Sequence, residues 1–194
     1  MDTSTTLPSR ARDVLDFWFG PLPHAMRDLW FRKDPAFDEQ IRDRFGHDVA
    51  AALGGAYGDW CTTPHGALAR VVLLDQFTRN IHRDTRKAFA GDEAALAAAD
   101  EAVKRGFDRR LDGFERAFLY MPFEHSEDRA MQERSLALFR ALADDTGNTG
   151  ALDWAEKHAA VIRRFGRYPH RNAILGRVST QEEVAFLAEP GSRF

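Results

Sequence analysis

The sequence predicts an all-α fold, a single array of eight or nine helices joined by short loops and packed as helix–turn–helix pairs. Three observations carry this prediction. Apolar residues recur at helical spacing, as in Phe37, Ile41, Phe45, Val49 and Leu53, which places them on one face of a helix. Cap residues and prolines stand where such runs begin, and glycines stand where they end. No segment alternates apolar and polar residues between hairpin turn signals, so no strand is expected.

The elements follow in chain order. Ser9 is placed to cap a first helix through Val14, Leu15 and Trp18, which Gly20 and Pro21 stop. Asp34-Pro35 sets a cap residue before a proline at the first helical position and opens a second helix, ended by Gly54-Gly55. Thr63-Pro64 opens a third in the same way, running through Leu68, Val72, Phe77 and Ile81. Asp92 opens an alanine-rich run to Gly106. Asp112 opens a short helix through Phe114, Phe118 and Leu119, which Pro122 is expected to break. Ser126 is placed to open the next, with Leu136, Phe139 and Leu142. The stretch 144–150 reads as an exposed loop. Leu152, Ala155, Ala159, Ile162 and Phe165 mark a further helix, stopped by Gly166. Thr180 and Glu183 have capping-box spacing for a last short helix, which Pro190-Gly191 closes.

Composition bounds the function. A chain of 194 residues suits one domain, 1–194, with a sizeable core. The net charge of −3 argues against broad binding to nucleic acid or anionic membrane. The one cysteine, Cys61, excludes an internal disulfide framework and a cysteine-based zinc site and fits a reducing compartment. No apolar run approaches the roughly 18 residues of a membrane span, and Met1 to Arg12 is polar, without a signal-peptide apolar stretch. A cytoplasmic location is therefore expected. Trp18, Trp30, Trp60 and Trp154 are read as core or helix–helix contacts.

Three clusters hold residues suited to chemistry. In the third helix, Asp75 and Arg79 are four apart, and Gln76 and Asn80 form a parallel row. The first half of that helix is apolar nearly all round, which marks it as buried, and polar groups on a buried helix need partners. The row is either an internal pair with amides tying helices together or the floor of a polar pocket. The second cluster is Tyr120-Met-Pro-Phe-Glu-His-Ser-Glu-Asp128. Helix capping accounts for its last three residues, whereas Glu124 and His125 together suit general acid–base work. In the third, no carboxylate occurs between Lys157 and Gln181, yet Arg163, Arg164, Arg167, Arg171 and Arg177 do, interleaved with Phe165, Tyr168 and Pro169. Arginine forks suit carboxylates and phosphates, so a loop facing anions or acids is expected around Arg167, His170, Arg171 and Asn172. His158, His170, His125 and Glu124 could converge in the fold, but no His-x-x-x-His or Glu-x-x-His helical pair exists to supply two ligands from one turn, and no metal site is expected. No glycine-rich phosphate loop or dinucleotide fingerprint is present, and no organic cofactor is expected.

The same residues carry a family likeness. Val14-Leu-Asp-Phe-Trp-Phe-Gly20, Leu73-Leu-Asp-Gln-Phe-Thr-Arg-Asn-Ile81, Tyr120-Met-Pro-Phe-Glu-His-Ser-Glu127 and Phe165-Gly-Arg-Tyr-Pro-His-Arg-Asn172 occur in this order. From about Val14 to Phe194 the chain resembles the bacterial and fungal domain-of-unknown-function family 924. The resemblance implies an all-helical fold related to tetratricopeptide-repeat proteins and assigns no reaction.

Two functions follow as expectations. In one, Asp75, Gln76, Arg79, Asn80, Glu124, His125, Arg167, His170, Arg171 and Asn172 line a site for an anionic small molecule. Arg79 and Arg171 would bind the anion, and His125, oriented by Glu124 or Asp75, would move a proton in a cofactor-independent hydrolysis or proton transfer. In the other, a tetratricopeptide-like groove clamps an acidic peptide or partner protein with its arginines. Homodimerisation is compatible with either. A third reading makes the polar residues a buried network that locks helix packing.

Overall fold

A computed structural model describes residues 6–192, so residues 1–5 of the polar Met1 to Arg12 stretch and residues 193–194 lie outside the described part. Among the described residues every regular element is helical and no strand occurs. The elements are α1 (Ser9–Phe19), α2 (Pro35–Leu53), α3 (Pro64–Val71), a π-helical segment (Val72–Phe77), α4 (Thr78–Ile81), α5 (Asp92–Lys104), α6 (Gly113–His125), α7 (Arg129–Thr146), α8 (Gly150–Phe165), α9 (Asn172–Leu175) and α10 (Gln181–Leu187), with short 3-10 turns between them. Because α3, the π segment and α4 run on without a break, these make nine helical pieces among the described residues. None is long and apolar enough to cross a membrane.

The cap chemistry anticipated from sequence forms at four helices. Asp34 accepts from the N–H groups of Ala36 and Phe37, and Thr63 accepts from Gly66. Asp112 Oδ1 accepts from Phe114 and Glu115, and Thr180 with Glu183 completes a reciprocal capping box. These bonds satisfy amide donors that a helix start leaves open. Other boundaries differ. Pro8, not Ser9, stands at the N-cap of α1, because its carbonyl takes the bond from Arg12 and draws Ser9 inside the helix. Asp128 caps α7, and Ser126 Oγ accepts from the Asp128 N–H instead; a carboxylate is the stronger acceptor at the positive end of a helix. Pro122 lies within α6 and does not end it, since one missing donor is absorbed near the end of a thirteen-residue helix. The stretch 144–150 is exposed, but α7 continues to Thr146 and only three residues separate it from α8.

The contacts group into two compact units, residues 1–83 with 87–122, and 84–86 with 123–194. In the first, α3 and the π segment form the centre: Ala67 to Phe77 are buried apart from Arg70. α3 packs on α1 and α5, and α2 packs on the π segment and α4. Aromatic rings close this core. Trp18 meets Phe77 at 5.5 Å and Phe118 at 5.4 Å, both edge-on, and Trp30 meets Phe118 at 4.8 Å. Such edge-to-face pairs add about 0.5–1.5 kcal/mol each beyond burial.

The π segment was not visible in the sequence. Its widened turn lets the Thr78 hydroxyl donate to the Leu73 carbonyl, five residues back, at 2.9 Å. Beside it the backbone of Gly91 lies so close that a Cβ there would fall 2.0 Å from the Leu74 carbonyl oxygen. Only glycine fits this approach.

In the second unit, α7 and α8 pack against each other across the short turn that follows Gly147. Val161, Ile162 and Tyr168 form a buried cluster there, with Phe165 and Phe186 against it. Three tryptophans, Trp18, Trp30 and Trp60, are buried as expected. Trp154 is instead half exposed on α8, where the Lys157 ammonium covers its ring at 4.2 Å.

Candidate functional site

The polar row of the first unit is held by its own neighbours. Asp75 is fully buried. Its Oδ1 accepts from Arg79 at 3.1 Å and its Oδ2 from Gln76 Nε2 at 2.5 Å. Arg79 reaches Asp92 as well, at 2.8 Å, and lies over the Phe89 ring. Asn80 donates to Asp38 Oδ1 at 2.7 Å, and Arg83 forks the same carboxylate at 2.8 Å with both nitrogens. The predicted Asp75–Arg79 pair is therefore present, and the amides tie helices together, Asn80 to Asp38 of α2 and Gln76 to Met121 Sδ of α6 at 3.3 Å.

The arginines of 163–177 mostly face carboxylates of the same unit. Arg163 pairs with Glu133, Arg164 with Glu182, Arg167 with Glu183 and Arg177 with Glu127. The Glu127–Arg177 pair is bidentate, at 2.6 and 2.9 Å. Burial pushes the Glu127 carboxyl up, but Arg177 and the Tyr168 N–H outweigh it and hold the group below its usual value. Glu183 is lowered to about 2, chiefly by Arg167, with the Thr180 N–H and Asn172 adding. Asn172 also bonds Ser179 and accepts from Arg177 Nε. Of the predicted ligand residues, Arg167 and Asn172 are thus tied to Glu183.

A different constellation lies beside these pairs, at the junction of α6, α8 and the turn Pro169–Arg171 within the second unit. Pro122 does not end α6, so the helix carries Glu124 and His125 in its last turn. Glu124 Oε1 stands 3.0 Å from Nδ1 of His158, and both side chains are buried. The same nitrogen lies 2.9 Å from the Trp154 carbonyl. An Nδ1–H shared between these two oxygens leaves Nε2 as the lone-pair nitrogen. The ring of His125 is 6.4 Å from that of His158. Tyr168 meets the rings of His158 and His170, each at 5.6 Å. Its hydroxyl donates to the Glu124 backbone carbonyl and accepts from Gln132, so the loop is fastened to the end of α6. The guanidinium of the buried Arg171 lies 4.6 Å from the centre of the Tyr168 ring.

Burial drives His158 down to about 3, and the positive potential of His125, His170 and Arg171 adds to the shift. The imidazole is neutral at pH 7 although a carboxyl group touches it. Burial likewise raises the Tyr168 phenol, which stays protonated. Glu124, His125, His170 and Arg171 thus come together in one unit, whereas Asp75, Gln76, Arg79 and Asn80 belong to the other. The imidazole in contact with Glu124 is that of His158 on α8 and not that of the adjacent His125. Its signal in the sequence was a lone histidine among the buried positions Ala155, Ala159 and Ile162.

The chain matches, over residues 14–191, the family described as a bacterial protein of unknown function, DUF924, and it belongs to that family. Its structure is similar to that of ATU0120, a protein of unknown function from Agrobacterium tumefaciens. The two are 40% identical and superpose with a TM-score of 0.85 over 93% of this chain and 97% of the other. Comparison with curated proteins gave no match.

Proposed function

We propose that the second unit binds an anionic small molecule and that the Glu124–His158 pair moves a proton on it, in a hydrolysis or proton transfer that needs no organic cofactor. The observation that carries this reading is the buried 3.0 Å contact between Glu124 and His158, set among the cationic or cation-forming groups His125, His170 and Arg171. Carboxyl-oriented imidazoles serve as general bases because one nitrogen is fixed and the other is presented to substrate. A base held near pKa 3 is too weak to work at neutral pH. An anion placed beside it offsets the surrounding positive charge and favours the imidazolium. Ligand binding would then itself bring His158 towards its working range. Arg171 supplies the fork for a phosphate or carboxylate, and His125 supplies a second hydrogen-bond donor.

The test is calorimetry with inorganic phosphate and a panel of small phosphate and carboxylate compounds, run in buffers of different ionisation enthalpy. Binding that takes up a proton between pH 5 and 7, and loses the uptake in His158→Gln, supports the reading. Binding without proton uptake, or unchanged by Arg171→Ala, overturns it.

A second reading is that helix–turn–helix packing of the tetratricopeptide type presents an acidic-peptide groove. The packed pair α7–α8 favours it. However, Arg163, Arg164, Arg167 and Arg177 already hold glutamates of this chain, so an acidic peptide would have to displace them.

A further inference from the structure

The first unit holds a second cluster of ligating side chains that neither the sequence motifs nor the proposed function uses. His24 comes from the loop after α1, His65 from the first turn of α3, and Asp112 and Glu115 from the start of α6. His24 Nδ1 stands 2.5 Å from Asp112 Oδ2, and His65 Nε2 stands 3.4 Å from Glu115 Oε1. One ligand atom each of His24, Asp112 and Glu115 lies within 4.8 Å of the other two.

The two carboxylates are oriented by backbone. Asp112 Oδ1 accepts from the N–H groups of Phe114 and Glu115, and Glu115 Oε2 accepts from the Asp112 N–H at 3.0 Å. Each acid therefore spends one oxygen on the helix start and turns the other towards an imidazole. That leaves two carboxylate oxygens and the His24 ring nitrogen converging on a frame held before any ligand arrives, which is what a metal site needs from its supporting shell. The His24 ring is itself held against Phe19, at 5.2 Å between centroids. The cluster is open to solvent on one side: the Asp112 side chain is 37% exposed and that of His65 46%.

We propose that His24, Asp112 and Glu115 bind one divalent first-row cation of the zinc type, with His65 beside the site against Glu115. Mixed imidazole and carboxylate donors select such ions over calcium or magnesium, which take oxygen alone, and over copper(I), which takes sulfur. The cation would bridge segments far apart in sequence, the 20–27 loop and the start of α6, and set its charge against two carboxylates. The helix dipole at the start of α6 opposes a cation, but both capping oxygens already answer it.

The test uses the full chain stripped with a chelator and titrated with zinc chloride by equilibrium dialysis, with thermal unfolding alongside. The expected result is one zinc per chain and a rise in Tm on loading. His24→Gln and Glu115→Gln should each weaken binding at least tenfold. Asp112→Asn keeps a good N-cap and tests the ligand oxygen without loss of the helix start, so it stands in where another variant fails to fold. Glu124→Gln, in the second unit, should bind zinc as the wild type does. Failure to retain one equivalent, or loss of zinc in Glu124→Gln while Asp112→Asn binds normally, would overturn the proposal.

Discussion

Glu124 Oε1 and His158 Nδ1 lie 3.0 Å apart, both buried, yet the imidazole stays neutral because burial and three neighbouring basic groups oppose its protonation. The carboxyl group therefore fixes the tautomer and direction of the ring without making it a cation.

The stability consequence has a definite sign. The ordinary histidine value of 6.5 falls to about 3 in the folded chain, so the unfolded chain binds more protons between those values. The contribution of His158 to stability is complete above pH 6.5 and is lost as the pH falls towards 3. Urea unfolding at a series of pH values should show stability rising from pH 4 to 6.5, with a shallower rise in His158→Gln. Equal slopes would mean that His158 is protonated in the folded protein.

A second acid window belongs to Glu183. Its carboxyl drops from 4.5 to about 2, chiefly through Arg167. That stabilisation is present above pH 4.5 and disappears as the pH falls through 2. Glu183→Gln should flatten the pH dependence between 4.5 and 2. Thr180→Ala should cost about 1 kcal/mol at any pH, because it removes a neutral cap. Urea titrations of the two variants at pH 3 and pH 7 separate these effects.

Arg79→Ala should destabilise the protein by about 3–5 kcal/mol, since it strands the fully buried Asp75 without its guanidinium. Asp75→Asn combined with Arg79→Ala should cost less than the sum of the single changes. Strict additivity in a double-mutant cycle would show that the pair does not couple.

Gly91→Ala should lower stability by about 1–3 kcal/mol or more, because its Cβ would overlap the Leu74 carbonyl of the π segment. Gly58→Ala, with open space around its Cβ, should stay within about 1 kcal/mol of wild type. Thermal melts of the two variants make the comparison.

Local chemistry determined much of this protein directly from its sequence. Asp34-Pro35, Thr63-Pro64, Asp112 and the Thr180–Glu183 box mark helix starts because a side-chain oxygen and an open amide are only two or three residues apart. Periodicity likewise marked the helix through Leu68 and Phe77 as central, and the four-residue step from Asp75 to Arg79 implied their pair. What the tertiary structure decided lies across long separations. His158 meets Glu124, Arg177 meets Glu127, and His24 meets Asp112 across 88 residues. No spacing rule reports such meetings, because the packing of whole helices sets them. The π segment belongs with these: its widened turn sits where the Gly91 backbone closes on Leu74, a contact between elements and not a property of either alone.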